Sequence, residues 1–387
     1  MVVSLLLGAC GGTSTGITDA KSIEVRLPAA AVAIAHTSVD LVRTLRYSAP
    51  TAARVYAYVM LAAGQAYFAV DTETGRDAAA VDAAADMMAR FSSKEYVADA
   101  FDVLRRAYRA DERTADGLID DLLAREQADE YDLTLGTTHS VGGGEWSWEP
   151  TGLTRMAFQH PGFADLPTFS RSAGECDIPA PDLDVVEAEG RRMLAELDLE
   201  KAVSSRVIAW LGGPGSPTPS GLWLLLGATV AANADLDAAA TTRLLTAIAV
   251  AEHDAAVGAW REKREHDLAR PETMWRRWTG TETVLPRETP PHPSYPSGHS
   301  AFSEAAASVI RGIHGDTPLA LTLQEEIGRP AETYTYPNLD AAVEDVNMSR
   351  VLAGFHYPHD TVMGTRLGTC IGDGVVTDID TLLGNGR

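Results

Sequence analysis

Apolar residues recur at helical spacing along most of the chain. From Ile23 to Leu45, Val, Leu, Ile and Ala return every third or fourth position, the stripe of an amphipathic helix. Pro50 restarts the chain. Ala52 to Val70 is then apolar almost throughout, with Arg54 and Gln65 as its polar points, which predicts a helix buried on most sides. Asp77–Phe91, Lys94–Ala110 and Glu112–Ala128 continue as helices, and Arg105, Arg106 and Arg109 form a basic face read as solvated or in surface ion pairs. From Asp129 to Asp182 the period is lost, and Thr, Gly, Pro and aromatic residues take over. A stretch this long is expected to wrap a surface or to serve function, with Trp146, Trp148, Phe158, Phe163 and Phe169 as anchors. Helical spacing resumes over Leu183–Leu211, breaks at Gly212–Ser220, and returns in Leu222–Asn233 and Asp235–Ala269. After coil from Thr279 to Tyr295 come helices at Ser300–Ile313, Leu319–Ile327 and Asp360–Cys370, with Leu339–Val346 leading into the last reactive segment. Period-two alternation is nearly absent, so the predicted fold class is all-α, with helices converging on one pocket. The expected organisation is a leader and tether at 1–22, then one all-α domain at 23–387 whose chemistry-bearing part is about 183–387.

Three segments interrupt the apolar pattern with reactive side chains. Pro291-His-Pro-Ser-Tyr-Pro-Ser-Gly-His-Ser300 is punctuated by proline and cannot be regular helix. A good helix follows it, so Ser297 and Gly298 fall at a helix N-terminus, where free N–H groups and the dipole favour an anion, and His299 falls in its first turn. Upstream, Lys263 and Arg270 are seven apart, two helical turns, and are expected on one side of a helix that Pro271 ends. Downstream, His356 and Asp360 are four apart. If Pro358 opens a helix, Asp360 can hold the second nitrogen of His356. With Arg350 the set comprises three cations, an anion-cradling helix end and two histidines, one of them carboxylate-supported, which are the parts of an oxyanion-transfer site.

Lys-x6-Arg-Pro, Pro-Ser-Gly-His and Ser-Arg-x5-His-x3-Asp together resemble the three-part signature of the type 2 phosphatidic acid phosphatase superfamily, which includes the vanadium-dependent haloperoxidases. More loosely, Tyr47–Ala57 resembles the N-terminal helix of bacterial haloperoxidase-like proteins. Trp148–Gly152, Pro167–Phe169 and Cys176–Pro181 resemble their mid-chain segment. The resemblance implies paired helical bundles and an oxyanion held by Lys263, Arg270, Ser297, Gly298 and Arg350. It implies two possible chemistries. In a haloperoxidase, His356 would ligate vanadate, His299 would assist proton transfer as hydrogen peroxide is taken up, Lys263 would polarise the peroxide, and halide or an organic acceptor would be oxidised. In an acid phosphatase, phosphate would occupy the same pocket, His356 would attack a phosphoester and His299 would protonate the leaving alcohol. His292 stands where algal bromoperoxidases carry His and fungal chloroperoxidases Phe. With the mid-chain resemblance, it turns the expectation toward the haloperoxidase. A non-catalytic phosphate-binding lipoprotein is the third reading, and a pure binder would need neither His299 nor Asp360.

Composition refines this in two places. The 387 residues carry a formal net charge of −22, which argues against nucleic acid and against an anionic membrane surface. A cationic oxyanion site must therefore be a local island. At the N-terminus, Leu7-Gly8-Ala9-Cys10 resembles a lipobox followed by a Gly/Ser/Thr tether. That predicts an extracytoplasmic lipoprotein anchored at Cys10, although the apolar run is short and the basic start is missing, as in a truncated leader or a chance apolar tail. No later window reaches the ~18 uninterrupted apolar residues of a membrane span. Cys176 and Cys370 could pair or remain free thiols, and the oligomeric state is not encoded in any pattern found.

Overall fold

The computed structural model describes residues 27–110, 114–129, 144–150, 156–323 and 332–384. The Cys10 segment lies outside them. Fourteen α-helices are described: α1 Ala30–Leu45, α2 Ala49–Ala69, α3 Glu73–Phe91, α4 Lys94–Tyr108, α5 Asp120–Ala128, α6 Arg171–Gly174, α7 Leu183–Ala195, α8 Ser205–Ala209, α9 Thr218–Asn233, α10 Ala238–His266, α11 Pro271–Thr279, α12 Gly298–Ile313, α13 Leu339–Leu352 and α14 Pro358–Leu382. Two antiparallel strands, β1 Leu319–Leu323 and β2 Glu332–Tyr336, pair with Leu319 opposite Tyr336. The fold is all-α, as the periodicity predicts, and no helix among the described residues is long and apolar enough to cross a membrane.

The long helix α10 is the axis. It packs on α1, α2, α9, α12 and α14, and nearly every residue from Thr241 to Lys263 is buried. Small side chains at Ala247, Ala249, Ala251, Ala255, Ala256, Gly258 and Ala259 let neighbours approach from several sides at once. The helix α2 is buried nearly all round, as expected. Its two polar points are matched: Arg54 pairs with Asp129 at 2.8 Å, and Gln65 donates to the Leu382 carbonyl at 2.9 Å.

Among the described residues the most extensive helix packing is that of α12 with α14. Gly364, Gly368 and Gly372 recur every fourth residue along one face of α14. A Cβ on them would come within 2.5 Å of the Ser297 carbonyl, 2.5 Å of the Ala301 carbonyl and 2.6 Å of the Ala305 carbonyl. Only glycine allows this backbone approach. It sets the N-termini of α12 and α14 side by side, and Ser297 N–H donates to the Asp360 carbonyl at 2.9 Å.

The described part of the aperiodic mid-chain segment wraps these helices. Trp148 N–H donates to the Asp267 carbonyl and Gln159 N–H to the Pro291 carbonyl. Trp148, Phe158, Phe163 and Phe169 are buried, and Trp146 is half-buried against the core. A disulfide joins Cys176 to Cys370 on α14.

Several local expectations are corrected. Residues 319–323 are a strand, not a helix. Leu319, Leu321 and Leu323 alternate with Ala320 and Thr322, and β2 supplies a Thr/Tyr-rich partner. The remainder of the expected helix, from 324, lies outside the described residues. The start of the helix expected over Glu112–Ala128 lies outside the described residues, and from 114 on helix begins only at Asp120, because Gly117 turns the chain at φ +77°. Arg105 is not merely solvated, since it donates to the fully buried Asp82 at 2.8 Å.

Candidate active site

The helix α10 ends at His266, where Asp267 adopts a left-handed conformation at φ +47°, and Arg270 lies in extended backbone just before Pro271 opens α11. Lys263 and Arg270 therefore do not share a helix face. Each reaches the site separately. The buried Lys263 ammonium donates to three loop carbonyls, Pro293 at 2.8 Å, Ser294 at 3.1 Å and Pro296 at 2.5 Å. It thereby gathers the proline-punctuated loop, whose backbone makes no regular structure of its own. That loop delivers Ser297 as the N-cap of α12, its Oγ accepting from Ser300 N–H at 3.3 Å, followed by Gly298 and His299 in the first turn.

Pro358 opens α14 as its first residue. The Asp360 carboxylate then accepts through Oδ2 from His356 Nδ1 at 3.1 Å, Tyr357 N–H at 3.1 Å and Ser294 Oγ at 2.5 Å. A carboxylate that takes three donors places the His356 proton on Nδ1 and leaves the lone pair on Nε2. Arg270 Nη1 donates to that Nε2 at 3.0 Å, and Arg270 Nη2 donates to His292 Nδ1 at 2.8 Å. His292 Nδ1 also lies 3.3 Å from the Pro293 carbonyl. Two acceptors cannot bond each other, so the shorter, charge-assisted Arg270 contact sets this ring.

Burial pulls the His356, His292 and His299 rings well below their ordinary range, reinforced by Arg270 and Lys263 for the first two and chiefly by Arg350 for His299. Neutral imidazoles result. Burial also pushes the Asp360 carboxyl up to about 6, resisted by the Ser294 hydroxyl, Lys263 and Arg270, and pulls Lys263 down. The donor geometry decides between these opposed pulls. Three carbonyls around one nitrogen are satisfied only by an ammonium, and three donors on one oxygen favour the carboxylate.

The wall formed by His292, Gly298, His299, Arg350 and His356 faces a cavity of about 340 Å³. Trp260, Phe302, Phe355, Met156 and Ala49–Pro50 supply apolar lining, and Ser48 and Gln159 polar lining. Lys263, Arg270, Ser297 and Asp360 stand behind that wall. Two features suit an oxyanion. The buried cations Lys263, Arg270 and Arg350 outnumber the buried carboxylates Asp360 and Glu272 in the cluster, and such an excess is costly unless an anion offsets it. A Cβ on Gly298 would meet Trp260, Phe302 and Lys263 only at 3.5–4.0 Å. The glycine is thus not demanded by protein packing, and the room it leaves belongs to the cavity.

The structure also brings in residues that the sequence pattern does not mark. His299 Nε2 lies 3.2 Å from the Leu211 carbonyl and 3.3 Å from Arg350 Nη1. Trp210 Nε1 donates to Asp345 at 3.1 Å. Ser48 Oγ, in the cavity lining, meets His160 Nε2 at 2.9 Å. Trp210 and Leu211 directly precede Gly212-Gly-Pro-Gly, legible only as a break.

The family described as the VCPO second helical-bundle domain matches residues 243–385, a span that contains every site residue predicted from the sequence. No curated protein matches the chain. Among solved structures, a bacterial vanadium-dependent iodoperoxidase is similar at a TM-score of 0.76 and 21% identity, over 92% of this chain and 98% of that one. The apo form of a bacterial vanadium-dependent chloroperoxidase is similar at a TM-score of 0.66 and 15% identity, over 88% of this chain and 95% of that one. Its holo form gives the same TM-score and identity, 0.66 and 15%, over 87% and 93%. The chain thus has the helical fold of these vanadium-dependent haloperoxidases, and its residues 243–385 match the VCPO second helical-bundle domain.

Proposed function

We propose that the protein is a vanadate-dependent haloperoxidase, converting hydrogen peroxide, halide and a proton into hypohalous acid and water. The observation that carries this reading is the His356 ring. Asp360 holds its Nδ1 proton at 3.1 Å, and its Nε2 lone pair sits at the cavity wall beside buried cations. The similar structures are described as vanadium-dependent, and the excess of buried positive charge and the room at Gly298 suit that oxyanion. Bound vanadate would supply a Lewis-acidic centre that activates hydrogen peroxide toward halide.

The protein's part is binding, orientation and proton transfer. His356 would hold the central atom through Nε2, exchanging the Arg270 contact for it, and Asp360 keeps the ring in the tautomer that leaves a lone pair on this nitrogen. Arg350, at the cavity wall, can donate to anion oxygens as a planar fork, and Arg270 behind the wall adds positive charge and orients the His356 and His292 rings. The Gly298 N–H, in the first turn of α12, has no partner within its own helix. Ser297 orders that turn by capping it. Lys263 contributes positive charge and holds the loop carbonyls in place. His299 gives or takes a proton at the cavity wall, and the neutral His292 ring, oriented by Arg270, borders the same space. For location, Leu7-Gly-Ala-Cys10 supports an extracytoplasmic lipoprotein, and the Cys176–Cys370 disulfide fits an oxidising compartment.

The test is halide oxidation. Protein loaded with vanadate and given hydrogen peroxide and bromide should brominate a chromogenic acceptor. His299→Ala should lower turnover by about 10²–10⁴-fold, the scale of positioned proton transfer. Hydrolysis of a chromogenic phosphomonoester, inhibited by vanadate and with no bromination at any pH, would replace this reading with the acid phosphatase.

A further inference from the structure

Two neighbours at hydrogen-bond distance from His299 Nε2 ask opposite things of it, and the Trp210 backbone also bonds the ring. The Leu211 carbonyl, at 3.2 Å, can only accept and requires Nε2–H. Arg350 Nη1, at 3.3 Å, can only donate and requires the lone pair. The tautomer of His299 therefore depends on how firmly the Leu211 carbonyl is held. Leu211 lies past the end of α8, and the next residue, Gly212, turns away at φ +62°. No helix continues through it to fix its carbonyl.

The neighbouring Trp210 does what a helix does not. Its indole is fully buried, lies 6.4 Å from the Trp223 ring in a stacked arrangement, and donates from Nε1 to Asp345 Oδ2 at 3.1 Å. Asp345 is itself held from two other elements. Tyr336 of β2 donates to Oδ2 at 2.7 Å, and Arg206 of α8 reaches Oδ1 at 2.5 Å. Asp345 also shares α13 with Arg350, five residues on, about 7.5 Å along the axis. Arg350, which opposes Nε2–H, and Asp345, which anchors the residue next to the carbonyl that favours it, thus sit on one helix.

Resting on the proton-transfer role read for His299, we propose that Asp345 is a positioning residue. It holds Trp210, and through it the Leu211 carbonyl, so that the neutral His299 ring carries its proton on Nε2. The hairpin acquires a task in this arrangement: Tyr336 completes the carboxylate's donor set. The clamp also joins the 206–211 stretch, outside the matched bundle, to a histidine inside it.

The test uses the full chain without vanadate and reads the His299 ring nitrogens by ¹⁵N NMR, assigned by the signals lost in His299→Ala. The wild type should show protonated Nε2. Trp210→Phe keeps a ring in place but removes the N–H. Asp345→Asn keeps the shape but loses the charge. Each should move the Nε2–H to Nδ1–H ratio by about five-fold toward Nδ1–H, the size of one neutral hydrogen bond. Trp223→Phe perturbs the packing of the same indole while leaving its bond to Asp345, and should not move the ratio. An unchanged ratio in folded Trp210→Phe and Asp345→Asn would overturn the proposal, as would an equal shift in Trp223→Phe. None of these outcomes depends on halide oxidation, so they stand apart from the haloperoxidase reading.

Discussion

Among the described residues two buried histidines are held by aspartates, and they do different things. His253 Nδ1 lies 2.9 Å from Asp254, and His356 Nδ1 lies 3.1 Å from Asp360. Both pairs are shut off from solvent. The difference lies in everything else they touch. Asp254 spends its remaining capacity on the backbone, accepting from Phe169 N–H at 2.8 Å and Ser170 N–H at 2.9 Å. The His253 ring is packed among Phe163, Phe169 and Tyr58, and its Nε2 has no hydrogen-bond partner and faces no described cavity. Nearby cations are already engaged, Arg54 with Asp129 and Arg125 with the Pro167 and Thr168 carbonyls. The first pair is a rivet for the wrapping segment. The second has Arg270 on its far nitrogen and a cavity in front. A His–Asp pair alone therefore says little about chemistry; an excess of buried cations and open space beside it say more.

The sharpest way to break this contrast is to remove each ring in turn. His356→Ala should abolish vanadate-dependent bromination while the fold keeps its thermal stability. His253→Ala should leave bromination intact and cost about 2–5 kcal/mol by chemical denaturation, the range for emptying a packed core position. A variant that loses both stability and activity in either case would collapse the distinction. A smaller effect comes from pH. Burial holds His253 below its ordinary 6.5, outweighing the pull of Asp254. The unfolded chain then binds the proton more readily than the folded one. The ring's contribution to stability is full above 6.5 and is lost as pH falls from there toward the folded value. Denaturation of His253→Asn should accordingly weaken less steeply than wild type on acidification below 6.5, and parallel curves would contradict this.

The sequence discloses much of the site because its residues fall in three short runs whose local chemistry is readable. Proline before Ser-Gly-His announces a loop-to-helix junction, and Pro358 places Asp360 within reach of His356. What is hidden depends on chain-distant meetings. Asp345 and Trp210 are 135 residues apart, and no spacing rule joins them. The adjacent His253 and Asp254 sit inside a long helical run and carry no periodic signal. Lys263 and Arg270 were legible as cations but not as members of separate elements, since the left-handed turn at Asp267 needs no glycine there. The glycine stripe of α14 could have been read as a close helix contact, but its partner could not. The hairpin was missed because five residues of alternation in β1 are too few to outweigh a helical neighbourhood.

The central claim, that the cavity at His356 is an oxyanion site and the His253 pair is not, is tested most directly by calorimetric titration of vanadate. The wild type and His253→Ala should each bind one vanadate per chain, and folded His356→Ala should bind it far more weakly or not at all. No binding by the folded wild type, or equal binding by His356→Ala, would contradict the account.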